Sequence, residues 1–249
     1  MFRKKSPFEN KKGTLLRKEN ENIISSIDTP KILKQDSLKC NKKQNVVPIN
    51  QTIAFCSTHK GAGCTHLALM AAYEISKTYK TALVELDPRG TLNQFEAIYD
   101  LKNGLSTSKK LDKLDVYFYE RSSLLEIYKQ GYEVIVFDIG CILDTEGLQE
   151  NQDSCLTENI QEAYKAGKRI LVTQLKEWQQ LYLAEFLKHE NNIEDWKIIT
   201  NLTNEKEYKQ LSKLLKKEYM YSDILNVQYI DDVFKKENVK EKIVENILY

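Results

Sequence analysis

Short apolar runs alternate with longer amphipathic stretches from residue 51 to the end of the chain. Apolar runs bounded by turn residues are typical of buried strands, whereas apolar positions that recur every three or four residues predict helices. The strands predicted in this way are Gln51–Thr58, Thr81–Glu85, Lys113–Tyr119, Tyr132–Phe137, Arg169–Thr173, Trp196–Leu202 and Ile224–Ile230. The helices predicted between and after them are Cys64–Tyr79, Leu124–Lys129, Thr157–Ala166, Glu177–His189, Glu205–Tyr219 and Asp232–Leu248.

This alternation predicts an α/β fold with a mainly parallel sheet. Two parallel neighbours in a sheet need a crossover connection, which is usually a helix. Repeated strand–helix units therefore favour a sheet that is covered by helices on both faces. Ligands in such folds bind beyond the carboxyl ends of the strands. The segments that follow the predicted strands are accordingly where a functional site is expected.

The first fifty residues differ in composition from the rest of the chain. Residues 1–50 hold 12 Lys and Arg against 5 Asp and Glu, whereas residues 51–249 hold 25 against 31. Three of the four prolines, Pro7, Pro30 and Pro48, lie in the first segment. This composition predicts a basic, disordered arm before one folded domain. Its charge fits an anionic membrane surface, a nucleic acid or an acidic protein, and equally fits a solubilising tail without a partner.

Neither a membrane span nor a secretory signal is predicted. The chain has no run of about 18 apolar residues, and its basic beginning lacks an apolar core segment. The five cysteines, Cys40, Cys56, Cys64, Cys141 and Cys155, have no disulfide-framework spacing, which favours free thiols. We therefore expect a cytoplasmic protein, held peripherally at the inner face of the cell membrane if the basic arm binds lipid.

The loop after the first predicted strand, residues 58–66, has the pattern of a phosphate-binding loop. Its sequence is Thr-His-Lys-Gly-Ala-Gly-Cys-Thr-His. In the general pattern G-x-x-x-x-G-K-S/T, backbone N–H groups wrap the phosphates, the lysine meets the terminal oxygens and the hydroxyl holds Mg²⁺. Gly63 and Thr65 are in register with this pattern, whereas Cys64 stands at the lysine position and Thr58 at the first glycine position.

Over residues 51–249 the chain resembles the deviant Walker A ATPases, the family of MinD, ParA and the pilus-assembly proteins of CpaE/TadZ type. The family's loop, K-G-G-x-G-K-S/T, places its glycines on Gly61 and Gly63 and its P-loop lysine on Cys64. Its signature lysine, which reaches the partner's nucleotide across a dimer, falls on His59. Lys60 is one residue out of register and is a candidate substitute for that lysine.

The downstream matches to this family supply acidic and amide side chains. Residues 84–90, Val-Glu-Leu-Asp-Pro-Arg-Gly, are similar to D-x-D-P-Q-G, which implies that Asp87 positions the attacking water. The run Ile-Val-Phe-Asp ending at Asp138 resembles the Walker B strand, whose aspartate holds Mg²⁺ through water. Asn201 matches the position of an adenine-binding asparagine. Taken singly, Asp before Pro and Asn after a strand are also ordinary turn residues.

The resemblance thus implies an ATP site with Mg²⁺ and a named set of residues. Asp87 is its candidate catalytic residue, and Thr65 and Asp138 are its candidate metal ligands. The candidate nucleotide-binding residues are His59, Lys60, Gly61, Ala62, Gly63, Cys64, Thr65, His66 and Asn201. Losing the lysine removes a cation from the terminal phosphates, which commonly costs a factor of about 10² to 10³ in rate. A thiol is mostly neutral and cannot replace it, so we expect nucleotide binding with weak or absent ATPase activity.

Three functions follow from these expectations. The first is a MinD/ParA/CpaE-like protein that dimerises on nucleotide binding and positions or assembles a pilus, secretion system or other surface machine through protein partners. The second is a pseudo-ATPase scaffold without a nucleotide cycle. The third is ParA-like DNA partition, which the acidic balance of residues 51–249 disfavours because DNA binding needs a basic surface.

Two further features have alternative interpretations. Cys56, His59, Cys64 and His66 form the pattern C-x2-H-x4-C-x-H, whose side chains zinc accepts, although core packing of Cys56 is the simpler prediction. The last predicted helix has an apolar face but no excess of lysine, so docking on the core is favoured over membrane binding.

Overall fold

The computed structural model describes residues 51–98, 101–104, 107–119, 123–143, 157–158, 160–176, 179–228, 234 and 238–248. The predicted basic arm, residues 1–50, lies outside the described residues, so its disorder and its partners stay predictions.

A nine-stranded sheet runs through the described part of the chain. Its strands are β1 (Gln51–Ser57), β2 (Thr81–Glu85), β3 (Lys102–Asn103), β4 (Lys109–Leu111), β5 (Leu114–Tyr117), β6 (Val134–Cys141), β7 (Lys168–Thr173), β8 (Trp196–Asn201) and β9 (Ile224–Val227). Their order across the sheet is β3-β4-β5-β2-β6-β1-β7-β8-β9. The strands from β5 to β9 in this order are parallel, whereas β3 and β4 form an antiparallel edge.

Helices cover both faces of this sheet, which confirms the predicted fold class. The helices are α1 (Cys64–Ser76), α2 (Thr91–Ile98), α3 (Leu124–Lys129), α4 (Ile160–Lys165), α5 (Gln179–His189), α6 (Glu205–Tyr219) and α7 (Asn238–Leu248). Apolar side chains of α1, α2 and α7 pack into the core on one face, and those of α3, α4, α5 and α6 pack into the core on the other.

The central strands are apolar along their whole length because both of their faces are covered. All five residues of β2 are buried, and so are all residues of β6 except the last. In β1 the side chains alternate between the two cores: Ile53 and Phe55 pack on the side of α1, whereas Ala54 and Cys56 pack on the opposite side. This double burial explains why the strands appear in the sequence as continuous apolar runs.

The helix α1 begins directly at the carboxyl end of β1. Gly63 precedes it with φ 93° and ψ 22°, and the buried residues Leu67, Met70 and Ala71 face the core. Helix α7 packs in the same core through Ile243, Val244 and Ile247, which confirms that the last helix docks on the core. None of the helices in the described part of the chain combines the length and the apolar character of a membrane span.

Three parts of the fold differ from the sequence-based expectation. The strands β3 and β4 were not predicted, because they are short and rich in lysine and so have no apolar run. The helix α2 was not predicted either. The strand predicted over Tyr132–Phe137 continues instead to Cys141, because β6 stays paired with β1 as far as Ser57 opposite Cys141. Asp138 therefore lies within a strand rather than after one.

Candidate functional site

The site predicted from the sequence lies at the carboxyl ends of the central parallel strands. The five strands β2, β6, β1, β7 and β8 are consecutive neighbours, and they are parallel. The loop of residues 58–63 follows the central member of this set, β1, and is flanked by the carboxyl ends of β6 and β7. Asp87 and Asn201 lie at the ends of β2 and β8. The strand order thus brings residues that are far apart in sequence to a single edge.

The backbone of the loop is left-handed at two glycines. Gly61 has φ 83° and Gly63 has φ 93°. Residues with a Cβ atom rarely adopt this backbone conformation. A Cβ atom on Gly63 would lie 2.2 Å from Nδ2 of Asn201, whereas one on Gly61 would meet nothing within 4 Å. The backbone conformation and the close approach of the Asn201 side chain therefore both favour glycine at position 63.

Side-chain amides from the neighbouring strands hold the loop in this shape. Asn201 Nδ2 donates to the carbonyl of Ala62 at 2.8 Å, and Gln174 Nε2 donates to the carbonyl of Gly61 at 3.1 Å. Both carbonyls are thus turned towards β7 and β8. The first N–H groups of α1 have no carbonyl partner within the helix and carry its positive dipole end, so this geometry suits an anion such as a phosphate.

Cys64 occupies the lysine position without carrying a charge. The side chain is 6% exposed, and its Sγ donates to Oδ1 of Asp138 at 3.4 Å. Burial raises the pKa of the Cys64 thiol well above its ordinary value, and the negative charge of Asp138 raises it further. The thiol is therefore neutral, and it points towards β6.

Asp138 is fully buried beneath the start of α1. Its carboxylate accepts from Cys64 and is hydrogen-bonded to the side chain of Thr65. Burial raises the pKa of Asp138 to about 6, although those two hydrogen bonds oppose the rise. Its Oδ2 atom has no hydrogen-bond partner among the described residues.

This orphaned oxygen makes the pair Thr65 and Asp138 suitable for a divalent cation. A buried carboxylate oxygen without a donor costs free energy, and a bound cation or its water removes that cost. Mg²⁺ prefers oxygen ligands and keeps several waters, so it needs only one or two groups from the protein. The residues present therefore fit Mg²⁺.

Asp87 is held between an arginine and a glycine. It is 2% exposed, and Arg89 Nε lies 2.8 Å from its Oδ1 and 3.0 Å from its Oδ2, with Nη2 also donating to Oδ2. On the other side, a Cβ atom on Gly140 would lie 2.3 Å from Oδ2. The backbone N–H of Asp87 donates to the carbonyl of Asp138 at 3.1 Å. The end of β2 is thereby fixed to β6.

Glu85, the first acid of the segment similar to D-x-D-P-Q-G, has a structural position. It is buried, and its carboxylate accepts from the backbone N–H groups of Leu92 and Tyr119. This side chain therefore ties the start of α2 and the end of β5 to β2.

The three remaining loop residues of the predicted site have different environments. His59 is 3% exposed, and its Nδ1 lies 2.9 Å from Oγ1 of Thr58. Its ring is stacked on the ring of Tyr182 in α5, with 5.5 Å between the two ring centroids. Burial lowers the pKa of His59, and its Nε2 has no partner among the described residues. In this position it does not extend to a second subunit as the signature lysine of the family would. Lys60 and His66 are exposed.

The two cysteines of the alternative zinc pattern do not come together in the structure. Cys56 packs in the core on one face of the sheet, whereas Cys64 packs in the core on the other. In the part of the chain that the structure describes, no three His, Cys, Asp or Glu side chains form a group that could hold a metal ion.

A cleft lies beside the loop, on the side of β8 and β9. Its volume is about 180 Å³, and its lining residues are Gly61, Gly63, His66, Leu67, Asn201, Leu202, Val227 and Gln228. Small-molecule sites commonly have about 300–1,000 Å³, so this cleft can hold one part of a nucleotide. Leu202 on its rim has φ 55°, a left-handed conformation that costs roughly 1–2 kcal/mol in an L-residue.

Arg89, Gln174 and Gly140 are site residues that were not predicted from the sequence. Gln174 follows β7 directly, so the rule that sites lie at strand ends applies to it once the order of strands is known. Arg89 belongs to the segment 84–90 and departs there from the glutamine of the family pattern. Nothing in the sequence singles out Gly140, because its role depends on the position of Asp87 across the β2–β6 pair.

Comparison with known proteins gives a result at the level of structure. No model of a known protein family matches the chain, and no curated protein matches it. A plasmid partition protein from Borrelia burgdorferi bound to AMPPNP is 17% identical, with a TM-score of 0.55 over 80% of this chain and 96% of that one. A ParA family ATPase from Chlorobium tepidum is 16% identical, with a TM-score of 0.56 over 80% and 99%.

A third similar structure is an enzyme. Cobyrinic acid a,c-diamide synthase from Mycobacterium smegmatis, with bound ADP and magnesium, is 14% identical and has a TM-score of 0.52 over 80% of this chain and 94% of that one. Likeness at such low identity establishes architecture only. The chain has the ParA/MinD-like P-loop NTPase fold.

Proposed function

We propose that this protein binds ATP with Mg²⁺ and hydrolyses it slowly or not at all. The proposal is based on a loop whose backbone is left-handed at two glycines and whose carbonyls are bonded by Asn201 and Gln174. The lysine position of this loop is occupied by the neutral, buried thiol of Cys64. The loop keeps the features that bind an anion through backbone groups, and it lacks the one that stabilises charge during phosphoryl transfer.

The binding half of the proposal rests on groups that do not depend on lysine. The N–H groups at the start of α1 would receive the phosphates, and Thr65 and Asp138 would hold the metal. Mg²⁺, when bound, neutralises charge on the phosphate oxygens. The cleft beside Asn201 is the available space for the base. Two of the similar structures contain AMPPNP or ADP with magnesium, which supports nucleotide as the ligand class.

The slow-hydrolysis half rests on two side chains. Cys64 supplies no positive charge, and removal of one such electrostatic group commonly reduces turnover by about 10² to 10³. Asp87, the candidate for positioning water, has both carboxylate oxygens bonded to Arg89. A carboxylate held in this way has little remaining capacity to accept a bond from water.

A long-lived nucleotide complex suits a protein that acts by assembly rather than by turnover. We propose that the bound form dimerises and recruits protein partners in the positioning or assembly of a surface, pilus or secretion machine. In this proposal the protein is cytoplasmic, and its basic arm, with 12 Lys and Arg against 5 acids, contacts the anionic inner face of the membrane. Plasmid partition, the role in the name of one similar structure, is a second candidate.

The melting temperature with and without ATP·Mg²⁺ tests the binding proposal. We expect millimolar ATP with Mg²⁺ to raise the melting temperature of the wild type, because a ligand that binds only the folded state stabilises it. Thr65→Ala should abolish the rise. Thr78→Ala, which alters an exposed threonine beyond the other end of α1, should leave it unchanged. A wild type that ATP does not stabilise would overturn the proposal and favour the pseudo-ATPase scaffold.

A further inference from the structure

The guanidinium of Arg89 is a held cation at the edge of the candidate site. Its Nε and Nη2 atoms bond both oxygens of Asp87, and its backbone N–H donates to Oδ1 of Asp87 at 3.0 Å. The carboxylate is 2% exposed, whereas the arginine side chain is 39% exposed. Arginine has five N–H donors, so the fork can bind Asp87 and still present donors to a ligand.

Arg89 is linked to the lysine position through a short chain of contacts. It bonds Asp87, whose backbone N–H donates to the carbonyl of Asp138 at 3.1 Å. Asp138 in turn accepts from the Cys64 thiol at 3.4 Å. The positive charge of Arg89 also acts electrostatically on Asp138 and Cys141. The cation therefore lies beside the carboxylates that follow or end β2 and β6, one of which contacts Cys64.

Lys60, in the loop itself, is a second cation near the carboxyl ends of these strands. It is exposed, and its charge also acts on Cys141. In the described residues Lys60 has no ion pair, whereas Arg89 is oriented by its bonds to Asp87. A planar fork that is already oriented loses less freedom on binding and matches two phosphate oxygens at once.

We propose that Arg89 replaces the missing lysine as the side chain that binds the terminal phosphate of the nucleotide. This inference rests on the proposed function, because it assigns a residue to the same ATP site. Asp87 orients the guanidinium in the absence of ligand, and the third phosphate then competes for its N–H donors. ADP has no third phosphate, so Arg89 distinguishes ATP from ADP.

The simpler interpretation is an ion pair that only stabilises the turn after β2. Ion pairs with one exposed partner usually contribute little to folding. Such a pair would affect the melting temperature of the free protein and would change the affinities for ATP and ADP equally. The ratio of the two affinities therefore separates a phosphate-binding role from a structural one.

The dissociation constants of ATP and ADP, each with Mg²⁺, test the proposal by calorimetry on the full chain. Arg89→Gln should weaken ATP binding by about 10- to 100-fold, the usual effect of losing a charged hydrogen bond. ADP binding should change by less than about threefold, because ADP lacks the phosphate that Arg89 binds. Arg89→Lys keeps the charge but not the fork, and its loss of ATP affinity should be intermediate.

Control variants locate the effect in Arg89. Arg169→Gln removes an arginine that pairs with Asp195 at 3.2 Å at the start of β7, and it should leave both affinities unchanged. Lys60→Gln should have a smaller effect than Arg89→Gln. Adding Cys64→Lys to Arg89→Gln should restore ATP affinity, because the lysine returns a cation to the loop. Melting curves without nucleotide identify any variant that does not fold, in which case Arg89→Lys carries the test.

The outcomes separate this inference from the proposed function. If the wild type binds ATP and the Arg89 variants keep the wild-type ratio of ATP to ADP affinity, Arg89 does not bind the terminal phosphate, although the proposed function stands. The same conclusion follows if Lys60→Gln alone removes the preference for ATP. If the wild type binds neither nucleotide, the proposed function itself fails.

Discussion

The two halves of the candidate site distribute their charge in opposite ways. In the half formed by the loop and the start of α1, His59 and Cys64 stand where the resembling family has two lysines, and both side chains are buried. In the half formed by β2 and β6, Asp87, Asp138 and Arg89 are charged groups in contact with one another or with the loop. The loop half therefore depends on backbone groups, and the ionic interactions belong to the other half.

This difference separates two tasks that phosphate-binding loops usually combine. Holding an anion needs N–H groups in a fixed geometry, which the glycines and the helix start supply. Accelerating phosphoryl transfer needs positive charge aimed at the transition state. The loop half retains the geometry for the first task but has no cation at either lysine position for the second, which is the physical basis of the proposal that nucleotide is bound but slowly hydrolysed.

Restoring the lysine should have the largest effect on this comparison. We expect Cys64→Lys to strengthen ATP binding and to raise the ATPase rate by about 10² to 10³, because an ammonium beside the terminal phosphates stabilises charge that develops in the transition state. The measurement is the release of phosphate under saturating ATP, together with the dissociation constant of ATP. Cys56→Ser alters a buried cysteine of the opposite core and should produce no rate increase.

An unchanged rate in Cys64→Lys would mean that the loop does not present residue 64 to the phosphates. An increase in affinity without an increase in rate would instead locate the block at Asp87, whose oxygens are bonded to Arg89.

The sequence predicted the fold well because this fold depends on patterns that are local. Helix α6 was predicted with its observed bounds, Glu205–Tyr219, because its apolar residues recur with helical spacing. In the structure Asn204 also caps its start. The continuous apolar runs of β2 and β6 predicted strands that are covered on both faces. The short edge strands lacked such runs and were missed.

The candidate site was only partly predictable, because its contacts join distant segments. The family pattern indicated Asp87 and Asp138, but no local pattern shows that Gly140 must lack a Cβ atom to admit Asp87. The burial of His59 on Tyr182 depends on α5, more than a hundred residues further along the chain. Strand order decides these contacts, and strand order cannot be read from periodicity.

Removing the buried carboxylate of Asp138, in β6, should have the next largest effect, which is on the free energy of unfolding. The pKa of Asp138 rises from an ordinary value near 4 to about 6 in the folded protein. The folded state thus holds its proton more tightly than the unfolded state, so the stability contributed by protonated Asp138 is complete below about pH 4 and is lost as the pH rises through 6. Ionised Asp138 therefore destabilises the free protein by roughly 3 kcal/mol at pH 8.

We accordingly expect Asp138→Asn to raise the free energy of unfolding at pH 8 by up to that amount, with the gain shrinking towards pH 4. Urea unfolding of the ligand-free protein across this range is the measurement. The same variant should lose the stabilisation by ATP·Mg²⁺, which would identify Asp138 as a residue kept for binding at a cost in stability. A gain that does not vary with pH would contradict the assignment to ionisation.

The smallest effect on the free energy of unfolding is expected for His59, in the loop half. Its pH dependence is opposite in sign to that of Asp138. Burial lowers the pKa of His59, so the folded state favours the neutral ring, and the resulting stability is present above the unfolded pKa of about 6.5 and lost as the pH falls through the lower folded value. His59→Phe should retain the stack on Tyr182 and remove this loss. Measured by urea unfolding between pH 7 and pH 5, the variant should gain stability relative to the wild type as the pH falls, and Tyr182→Ala, which exposes the ring, should weaken the same dependence. If the wild type and His59→Phe respond identically to pH, the loop half contributes no titrating group, and the pH dependence of this edge belongs to Asp138 and its neighbours alone.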